Sequence, residues 1–196
     1  MEGKIIIVGA TGYTGSALAK LLKKENIDCH LIGRNESELQ KLANETGQSF
    51  SVCSNVSDEQ SVNESLSSIA NDKILGFAYC VGSIVLKSFQ TTKSEDFINT
   101  FNLNVTGAIL FIKKLQKQLA ENNGSIVLFS TVAVDRGFNM HSVISTAKGA
   151  IQGLTTSLAA EFAPKIRVNC IAPSITQSKI CLLYTSDAAD EGLGVD

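Results

Sequence analysis

A glycine-rich turn near the amino terminus constrains this chain more than any other feature. The apolar run Ile5–Val8 leads directly into Gly9, Gly12 and Gly15, and an amphipathic helix pattern follows through Leu22. A continuous apolar run is typical of a strand that is buried on both faces, as in a parallel sheet. Glycines at this spacing let the backbone turn tightly and approach a pyrophosphate at the N-terminal end of the helix. The alternative is a glycine-rich turn without a ligand.

The composition narrows the class of protein and of partner. With 196 residues, the chain is long enough for one domain with a substantial apolar core. Its net charge of -2 and the lack of a basic patch argue against a nucleic-acid partner. No apolar run approaches the roughly 20 residues of a membrane helix, and no signal peptide precedes the first strand, so we expect a cytoplasmic protein. The five cysteines show no C-x-x-C spacing, which favours free thiols over a metal site.

Strand and helix patterns alternate along the rest of the chain with short connections between them. After the first unit, strand patterns recur at 28–33, 49–53, 73–80, 125–130 and 166–171. Helix patterns have capping residues at Asn35, Ser57 and Thr92, and the two longest cover 97–121 and 142–162. This alternation predicts an α/β fold of Rossmann type, a doubly wound parallel sheet with helices on both faces. Ligands then bind in loops at the carboxyl ends of the strands.

The last sixteen residues depart from this alternation. Residues 181–191 read CLLYTSDAADE, which one reading frame of a transposon-end adapter used in sequencing libraries would encode. We therefore expect a truncated nucleotide-binding domain over 1–180 that lacks its last strand region, followed by a non-native tail over 181–196. The alternative is a native acidic tail.

Four further segments carry distinctive motifs in a fixed order. They are FNLNVTGA at Phe101–Ala108, GSIVLFST at Gly124–Thr131, AKGAIQGLTTSLAAE at Ala147–Glu161 and RVNCIAP at Arg167–Pro173. Together with the glycine turn, they resemble the short-chain dehydrogenase/reductase family in its classical form. The resemblance implies a nicotinamide cofactor and hydride transfer to or from a carbonyl or alcohol of a small-molecule substrate. It also implies a homodimer or homotetramer that associates through the two long helices, with no nucleic acid or membrane as partner.

The resemblance assigns roles to three polar residues. Asn104 matches the family's asparagine, which steadies the catalytic lysine through a water, and Lys148 matches that lysine, which binds the ribose hydroxyls. Thr131 occupies the position of the catalytic serine, and its hydroxyl can donate to a substrate oxygen. The alternatives are a helix-interior asparagine that the backbone satisfies and a surface lysine.

The family's catalytic tyrosine has no counterpart in this chain, since Ile144 stands four residues before Lys148. Isoleucine has no proton to give, so the usual general acid and base is absent. If the helix begins by His141, then His141, Ile144 and Lys148 share one face, and the imidazole can relay a proton near neutral pH. His141 is therefore the first candidate substitute, against a plain loop or capping histidine. Ser145 ranks below it because a hydroxyl needs its own base.

Further cofactor contacts are expected at the ends of the other strands. The family's N-A-G after the fourth strand is replaced by a segment from Cys80 to Gly82, and Gly82 still permits close approach of the backbone. The loop of Asn55 and Val56 is expected at the adenine, with Asn55 in place of an aspartate. In the first turn, the expected contacts are Gly9, Thr11, Gly12, Tyr13, Thr14 and Gly15.

The end of the second strand bears on the choice of cofactor. NAD selection typically needs a carboxylate there, which accepts from the ribose 2′-hydroxyl, whereas this chain has Gly33 followed by Arg34. Arg34 can pair with a 2′-phosphate, so NADP is expected; if Arg34 only stacks on the adenine, NAD is also open. Beyond Pro173, the resemblance implies that the backbone near Ile175 meets the nicotinamide carboxamide, with Ser178 beside it.

Two functions follow from these residues. The first is an NADP-dependent oxidoreductase whose proton transfer falls to His141, to water, or to Lys148 with Thr131. The second is a catalytically inactive dinucleotide-binding sensor or scaffold, which explains Ile144 without any substitute acid. Titration with NADPH, followed by a panel of carbonyl compounds, discriminates between them.

Overall fold

The centre of the fold is a six-stranded parallel sheet, which the computed structural model describes within residues 3–174. Its strands are β1 (Lys4–Val8), β2 (Cys29–Gly33), β3 (Ser49–Val52), β4 (Ile74–Tyr79), β5 (Ser125–Phe129) and β6 (Arg167–Ile171). Their order is β3-β2-β1-β4-β5-β6. Successive strands are added on one side of β1 up to β3 and on the other side from β4 onwards, so the strand order reverses between β1 and β4. This confirms the predicted doubly wound sheet. The predicted boundary at residue 180, the tail and the last strand region lie outside the described residues.

Helices connect the strands on both faces of the sheet. They are α1 (Tyr13–Lys24), α2 (Glu36–Thr46), α3 (Glu59–Leu66), α4 (Ser94–Phe101), α5 (Gly107–Glu121), α6 (Ala133–Arg136) and α7 (Ser142–Phe162). The helix predicted over 142–162 is confirmed at both ends. The one predicted over 97–121 is divided into α4 and α5 by a π-helical turn at Asn102–Thr106. None of the helices within residues 3–174 combines the length with the apolar character that crossing a bilayer requires.

The apolar core consists of two clusters, one on each face of the sheet. Ile6 and Val8 of β1 belong to the cluster that includes Phe111 of α5, whereas Ile7 belongs to the cluster that includes Leu39 of α2. All five side chains are fully buried. Each side chain of this size contributes about 1.5–3 kcal/mol when it leaves water. Consecutive residues of β1 are therefore apolar whichever face they point to, and this is the continuous run Ile5–Val8 seen in the sequence.

Two of the three predicted helix starts are wrong by one residue. Asn35 caps α2 as predicted, since its side chain accepts from Glu38 N. The cap of α3 is Asp58 instead of Ser57, because the Ser57 hydroxyl donates to the Asn102 carbonyl oxygen at 2.9 Å.

The start of α4 is displaced in the same way. Lys93, and not Thr92, is its capping residue, and the Lys93 N–H donates to the Asp96 carboxylate at 3.0 Å. The Thr92 hydroxyl donates instead to the Phe89 carbonyl oxygen at 2.8 Å. In both cases, the hydroxyl of the predicted capping residue donates to a backbone carbonyl oxygen, and the next residue is the cap.

Candidate active site

The turn between β1 and α1 is folded tightly against the end of β4. The backbone N–H groups of Gly9 and Ala10 both donate to the Ile32 carbonyl oxygen, at 2.9 and 3.0 Å. Gly9 has a φ of 80°, and a β-carbon on it would lie 2.9 Å from the carbonyl carbon of Cys80. Only glycine fits such a position. The turn therefore lies between β1 and β4, where the chain order reverses and ligands bind in folds of this type.

The N-terminal end of α1 lies directly on this turn. Gly12 is the capping residue, and it has no side chain that could bond to the N–H groups of the first turn. A β-carbon on Gly15 would clash with the Gly9 carbonyl oxygen, so the helix approaches the turn as closely as backbone allows. Thr11 is partly exposed, and both Tyr13 and Thr14 are exposed. The uncapped N–H groups and the positive end of the helix dipole can receive an anionic group.

The ends of β2 and β3 present the predicted adenine-side residues. Arg34 is exposed directly after β2, and none of the ion pairs in residues 3–174 involves it. The Asn55 side-chain oxygen accepts from the Ser57 N–H at 3.0 Å, so one of its lone pairs is already used in a local turn. The Val56 side chain is 6% exposed and packs in the core. The Val56 side chain is therefore part of the core and is not free to contact a ligand.

The end of β4 brings two of the predicted catalytic residues together. A β-carbon on Gly82 would lie 3.3 Å from Asn104 Oδ1 and 3.6 Å from Lys148 Nζ. Asn104 comes from the π-helical turn and Lys148 from α7, so three separate segments meet at this point. The missing side chain of Gly82 leaves room for a group to approach both polar atoms. The resemblance already linked Asn104 to Lys148, and the structure adds that both polar atoms lie next to Gly82.

Asn104 is held by the π-helical turn in a fully buried position. Its Nδ2 donates to the Thr100 carbonyl oxygen at 2.9 Å, whereas its Oδ1 is a buried atom without a hydrogen-bond partner among the described residues. The Tyr79 hydroxyl donates to the Leu103 carbonyl oxygen at 2.7 Å and so occupies one carbonyl that the wide turn releases. Sequence reasoning missed this role of Tyr79. The signal was the glycine at Gly107, because the Tyr79 hydroxyl fills the space where its side chain would be.

Lys148 lies in surroundings that disfavour its charged form. Burial lowers the pKa of its ammonium to about 8, although the nearby thiols of Cys170 and Cys80 act in the opposite direction. Burial in turn raises the pKa of the Cys80 thiol to about 12, so this thiol is neutral at ordinary pH. Part of the Lys148 surface is accessible to solvent. The lysine is thus a group that can gain or lose a proton slightly above neutral pH.

The segment after β5 is bonded to the main chain of Lys148 at Ser130, the residue before Thr131. Ser130 is buried, and its hydroxyl donates to the Lys148 carbonyl oxygen at 3.1 Å, a contact that the sequence analysis did not foresee. The Thr131 hydroxyl oxygen accepts from the Ala133 N–H at 3.3 Å, which leaves its proton available for a substrate oxygen. The Val132 N–H donates to the Pro173 carbonyl oxygen at 3.2 Å, so Pro173 closes the same edge. The predicted contacts at Ile175 and Ser178 lie outside the described residues.

His141 is the residue that precedes α7, and the helix itself begins at Ser142. The imidazole is 6% exposed. Its Nδ1 lies 2.6 Å from the Asn139 carbonyl oxygen, so the Nδ1–H donates to it, and the ring meets Phe138 edge to face. Ile144 is also 6% exposed, one helical turn before Lys148. One nitrogen of the His141 imidazole is thus hydrogen-bonded to the backbone of the preceding loop.

Comparison with known proteins agrees with this geometry. The family model for short chain dehydrogenase matches residues 4–187. Dehydrogenase/reductase SDR family member 6 of Rattus norvegicus is 32% identical over 177 residues, which cover 88% of this chain and 71% of the relative. Carbonyl reductase family member 4 of Xenopus laevis is 28% identical over 192 residues, which cover 95% and 79%.

A solved structure extends the agreement to three dimensions. A structure described as a short chain dehydrogenase/reductase family protein superposes with a TM-score of 0.86 at 28% identity, covering 96% of this chain and 81% of that one. The family model, the sequence relatives and the solved structure therefore all point to short-chain dehydrogenases. This chain belongs to the short-chain dehydrogenase family.

Proposed function

We propose that this chain is an NADP(H)-dependent oxidoreductase that interconverts a carbonyl and an alcohol of a small-molecule substrate. The observation that carries the proposal is the convergence of Lys148 Nζ and Asn104 Oδ1 on Gly82, next to the β1–α1 turn. Membership of a dehydrogenase family supports redox chemistry. The name of the relative from Xenopus laevis supports a carbonyl as the group that is reduced.

The residues present fit a dinucleotide. The glycine turn exposes backbone at the N-terminal end of α1, which suits the phosphates. The buried Asn104 Oδ1 is an acceptor, and Gly82 leaves an approach to it and to Lys148. When bound, the nicotinamide would supply or accept the hydride. The residues proposed to hold the cofactor are Gly9, Thr11, Gly12, Tyr13, Thr14, Gly15, Arg34, Asn55, Val56, Cys80, Gly82, Lys148, Pro173 and Ile175.

Three residues of the chain have separate roles in the proposed reaction. Lys148 binds the ribose, Asn104 positions Lys148, and the Thr131 hydroxyl donates to the substrate oxygen as charge develops there. Ile144 takes the tyrosine position of the family and contributes no proton. Proton transfer falls to His141, to water, or to Lys148 with Thr131.

Arg34 supports NADP over NAD as the cofactor. It is exposed directly after β2, and the glycine turn is bonded to Ile32, two residues before it. No carboxylate stands at this strand end to repel a 2′-phosphate, and a guanidinium can pair with that phosphate through two hydrogen bonds.

The test is a titration of the chain with NADPH and NADH, followed by fluorescence. We expect Arg34→Glu to weaken NADPH binding at least tenfold and to change NADH binding much less, because only NADPH carries the extra phosphate. Arg136→Glu is the matched control, since Arg136 is exposed on α6 and forms none of the ion pairs of residues 3–174. An equal loss of affinity for both dinucleotides in Arg34→Glu would contradict the NADP assignment. A wild-type chain that binds neither dinucleotide would overturn the proposed function.

The second candidate is a sensor or scaffold that binds the dinucleotide without catalysis. The apolar Ile144, buried one turn before Lys148, is the observation that favours it. A panel of aldehydes and ketones separates the two candidates. NADPH oxidation above background supports the enzyme, whereas tight binding without oxidation supports the sensor. Recovery of activity in Ile144→Tyr would show that the rest of the site is competent.

We also propose that two or more copies associate through α4 and α7. Ile98 and Phe101 of α4 are 56% and 39% exposed, and they line a surface cavity of about 400 Å³ together with Val143 of α7. Apolar side chains of this size in one patch are typical of an interface. Sedimentation velocity of the wild type and of Ile98→Glu tests this. A monomeric wild type would refute the association.

A further inference from the structure

We infer that Lys148 itself donates the proton to the substrate oxygen in this chain, because its Nζ is the ionisable group that lies next to Gly82 and Ile144 stands where the family has its proton-donating tyrosine. This makes Lys148 a catalytic residue as well as a cofactor ligand. The inference rests on the proposed function and adds to it the identity of the acid.

The geometry around Gly82 admits one protonatable group. Among the described residues outside its own chain neighbours, the atoms within 4 Å of a β-carbon placed on Gly82 are Asn104 Oδ1 and Lys148 Nζ. An amide oxygen accepts hydrogen bonds and carries no proton. Ile144 precedes Lys148 by one helical turn and offers only methyl and methylene groups. Of the two polar atoms that lie near Gly82, Lys148 Nζ is therefore the one that can give up a proton.

The groups that face Lys148 from neighbouring strands allow it to titrate. They are the thiols of Cys80, after β4, and of Cys170, on β6. Burial raises the pKa of both thiols, so they stay neutral where lysine ionises. Burial of the ammonium lowers its pKa to about 8. A general acid is most effective when its pKa is close to the working pH, and this lysine meets that condition.

His141 is less suited to the same task. Its Nδ1–H is donated to the Asn139 carbonyl oxygen, and its ring is buried against Phe138 ahead of α7. Lys148 lies on the helix itself, and its main-chain carbonyl is fixed to β5 through Ser130. The lysine is thus the better anchored of the two candidates.

The step balances in atoms and electrons. The carbonyl carbon would gain a hydride from the reduced dinucleotide, and the π electron pair of the C=O bond would move to the oxygen, which takes a proton from Lys148 Nζ. The Lys148 ammonium becomes a neutral amine, and the two electrons of the new C–H bond would come from the dinucleotide, which would be oxidised. Because part of Lys148 is accessible, the amine regains its proton from water before the next turnover. Alcohol oxidation runs the same transfers backwards.

The test combines a pH profile with a direct titration of the lysine. Reductive methylation with ¹³C-formaldehyde, assigned through Lys148→Arg, gives the pKa of Lys148 by NMR in the free chain and with NADP⁺. We expect a value near 8 in the free chain. Carbonyl reduction should fall above an apparent pKa set by this group, and alcohol oxidation should rise over the same range. Lys148→Arg keeps the charge but should lose both inflections and a hundredfold or more in rate, roughly the contribution of general acid catalysis.

The controls separate failure of this inference from failure of the proposed function. Lys113→Arg, on the exposed face of α5, should leave the profile unchanged. An inflection that survives in Lys148→Arg but disappears in His141→Gln would overturn the inference while NADPH oxidation continues. A Lys148 that titrates above about 10, like an ordinary lysine, would also overturn it. If the chain binds NADPH but none of the carbonyl compounds causes NADPH oxidation, both this inference and the proposed enzyme activity are overturned.

Discussion

The Ser130 hydroxyl donates a hydrogen bond of 3.1 Å to the main-chain carbonyl oxygen of Lys148. This bond joins the carboxyl end of β5 to the N-terminal third of α7, at the residue on which the candidate site depends. Ser130 is 5% exposed, so water cannot readily replace it as donor. The position of the lysine is therefore fixed from the sheet and not only by its own helix.

Replacing Ser130 by alanine should weaken that anchor. We expect Ser130→Ala to lower the free energy of unfolding by roughly 1 kcal/mol, the usual net value of one buried hydrogen bond, and to reduce NADPH affinity. Urea denaturation and fluorescence titration measure the two effects. Ser145→Ala is the matched control, because its hydroxyl makes only a 3.4 Å contact to the Ala133 carbonyl oxygen. Equal effects of the two substitutions would contradict the anchoring role of Ser130.

Gly107 and Tyr79 should be strongly coupled. A β-carbon on Gly107 would clash with the Tyr79 hydroxyl, which bonds to the Leu103 carbonyl oxygen at 2.7 Å. We expect Gly107→Ala to destabilise the chain by roughly 2 kcal/mol or more, and by at least about 1 kcal/mol less in a Tyr79→Phe background, where the hydroxyl is gone. A double-mutant cycle by chemical denaturation measures the difference. Additive effects would show that the clash is relieved elsewhere.

Gly82 should be required for binding and not for folding. It is exposed, and the β-carbon of Gly82→Ala would lie 3.3 Å from Asn104 Oδ1 and 3.6 Å from Lys148 Nζ. We expect this variant to weaken NADPH binding at least tenfold, with the midpoint of unfolding nearly unchanged. Gly153→Ala is the control: it has open space around it on α7 and should stabilise the fold by about 0.5–1 kcal/mol without affecting binding. Unchanged binding in Gly82→Ala would place the ligand elsewhere.

His30 should make the fold sensitive to acid. Burial lowers its pKa from 6.5 to about 4, and its ring nitrogens lie 2.8 and 2.7 Å from the Ser49 and Ser51 hydroxyls. Between these two values the unfolded chain binds the proton more tightly, so stability falls as the pH drops from 6.5 towards 4. The expected loss is roughly 2–3 kcal/mol. Urea denaturation across this range measures it, and His30→Gln should flatten the profile; an equally steep profile in that variant would assign the loss to other groups.

The architecture was predictable because its signals are local and repeated. The apolar run of β1, the glycines after it and the capping Asn35 each determine their own segment, and their succession determines the sheet order. The starts of α3 and α4 were misplaced because a serine or threonine hydroxyl has several possible acceptors. Ser57 donates to Asn102, which is 45 residues away, and no local pattern contains that information.

The sequence motifs predict the residues of the candidate site but not how these residues are arranged. Asn104 and Lys148 stood out through the motifs around them, whereas their meeting at Gly82 depends on how two helices cross the end of β4. The contribution of Tyr79 was hidden because a tyrosine at a strand end looks like any core aromatic. Its hydroxyl contact crosses 24 residues.

The π-helical turn at Asn102–Thr106 has a geometric consequence for the whole α4–α5 segment. One residue corresponds to about 100° of rotation in an α-helix, so a regular helix of the same sequence would turn Phe111 and Leu115 off the sheet or swing Asn104 away from Gly82. The wider loop of backbone absorbs that angular mismatch. As a result, the Asn104 amide lies next to Gly82 while the apolar face of α5 packs on the sheet. A regular α-helix over the same residues could not place both groups correctly.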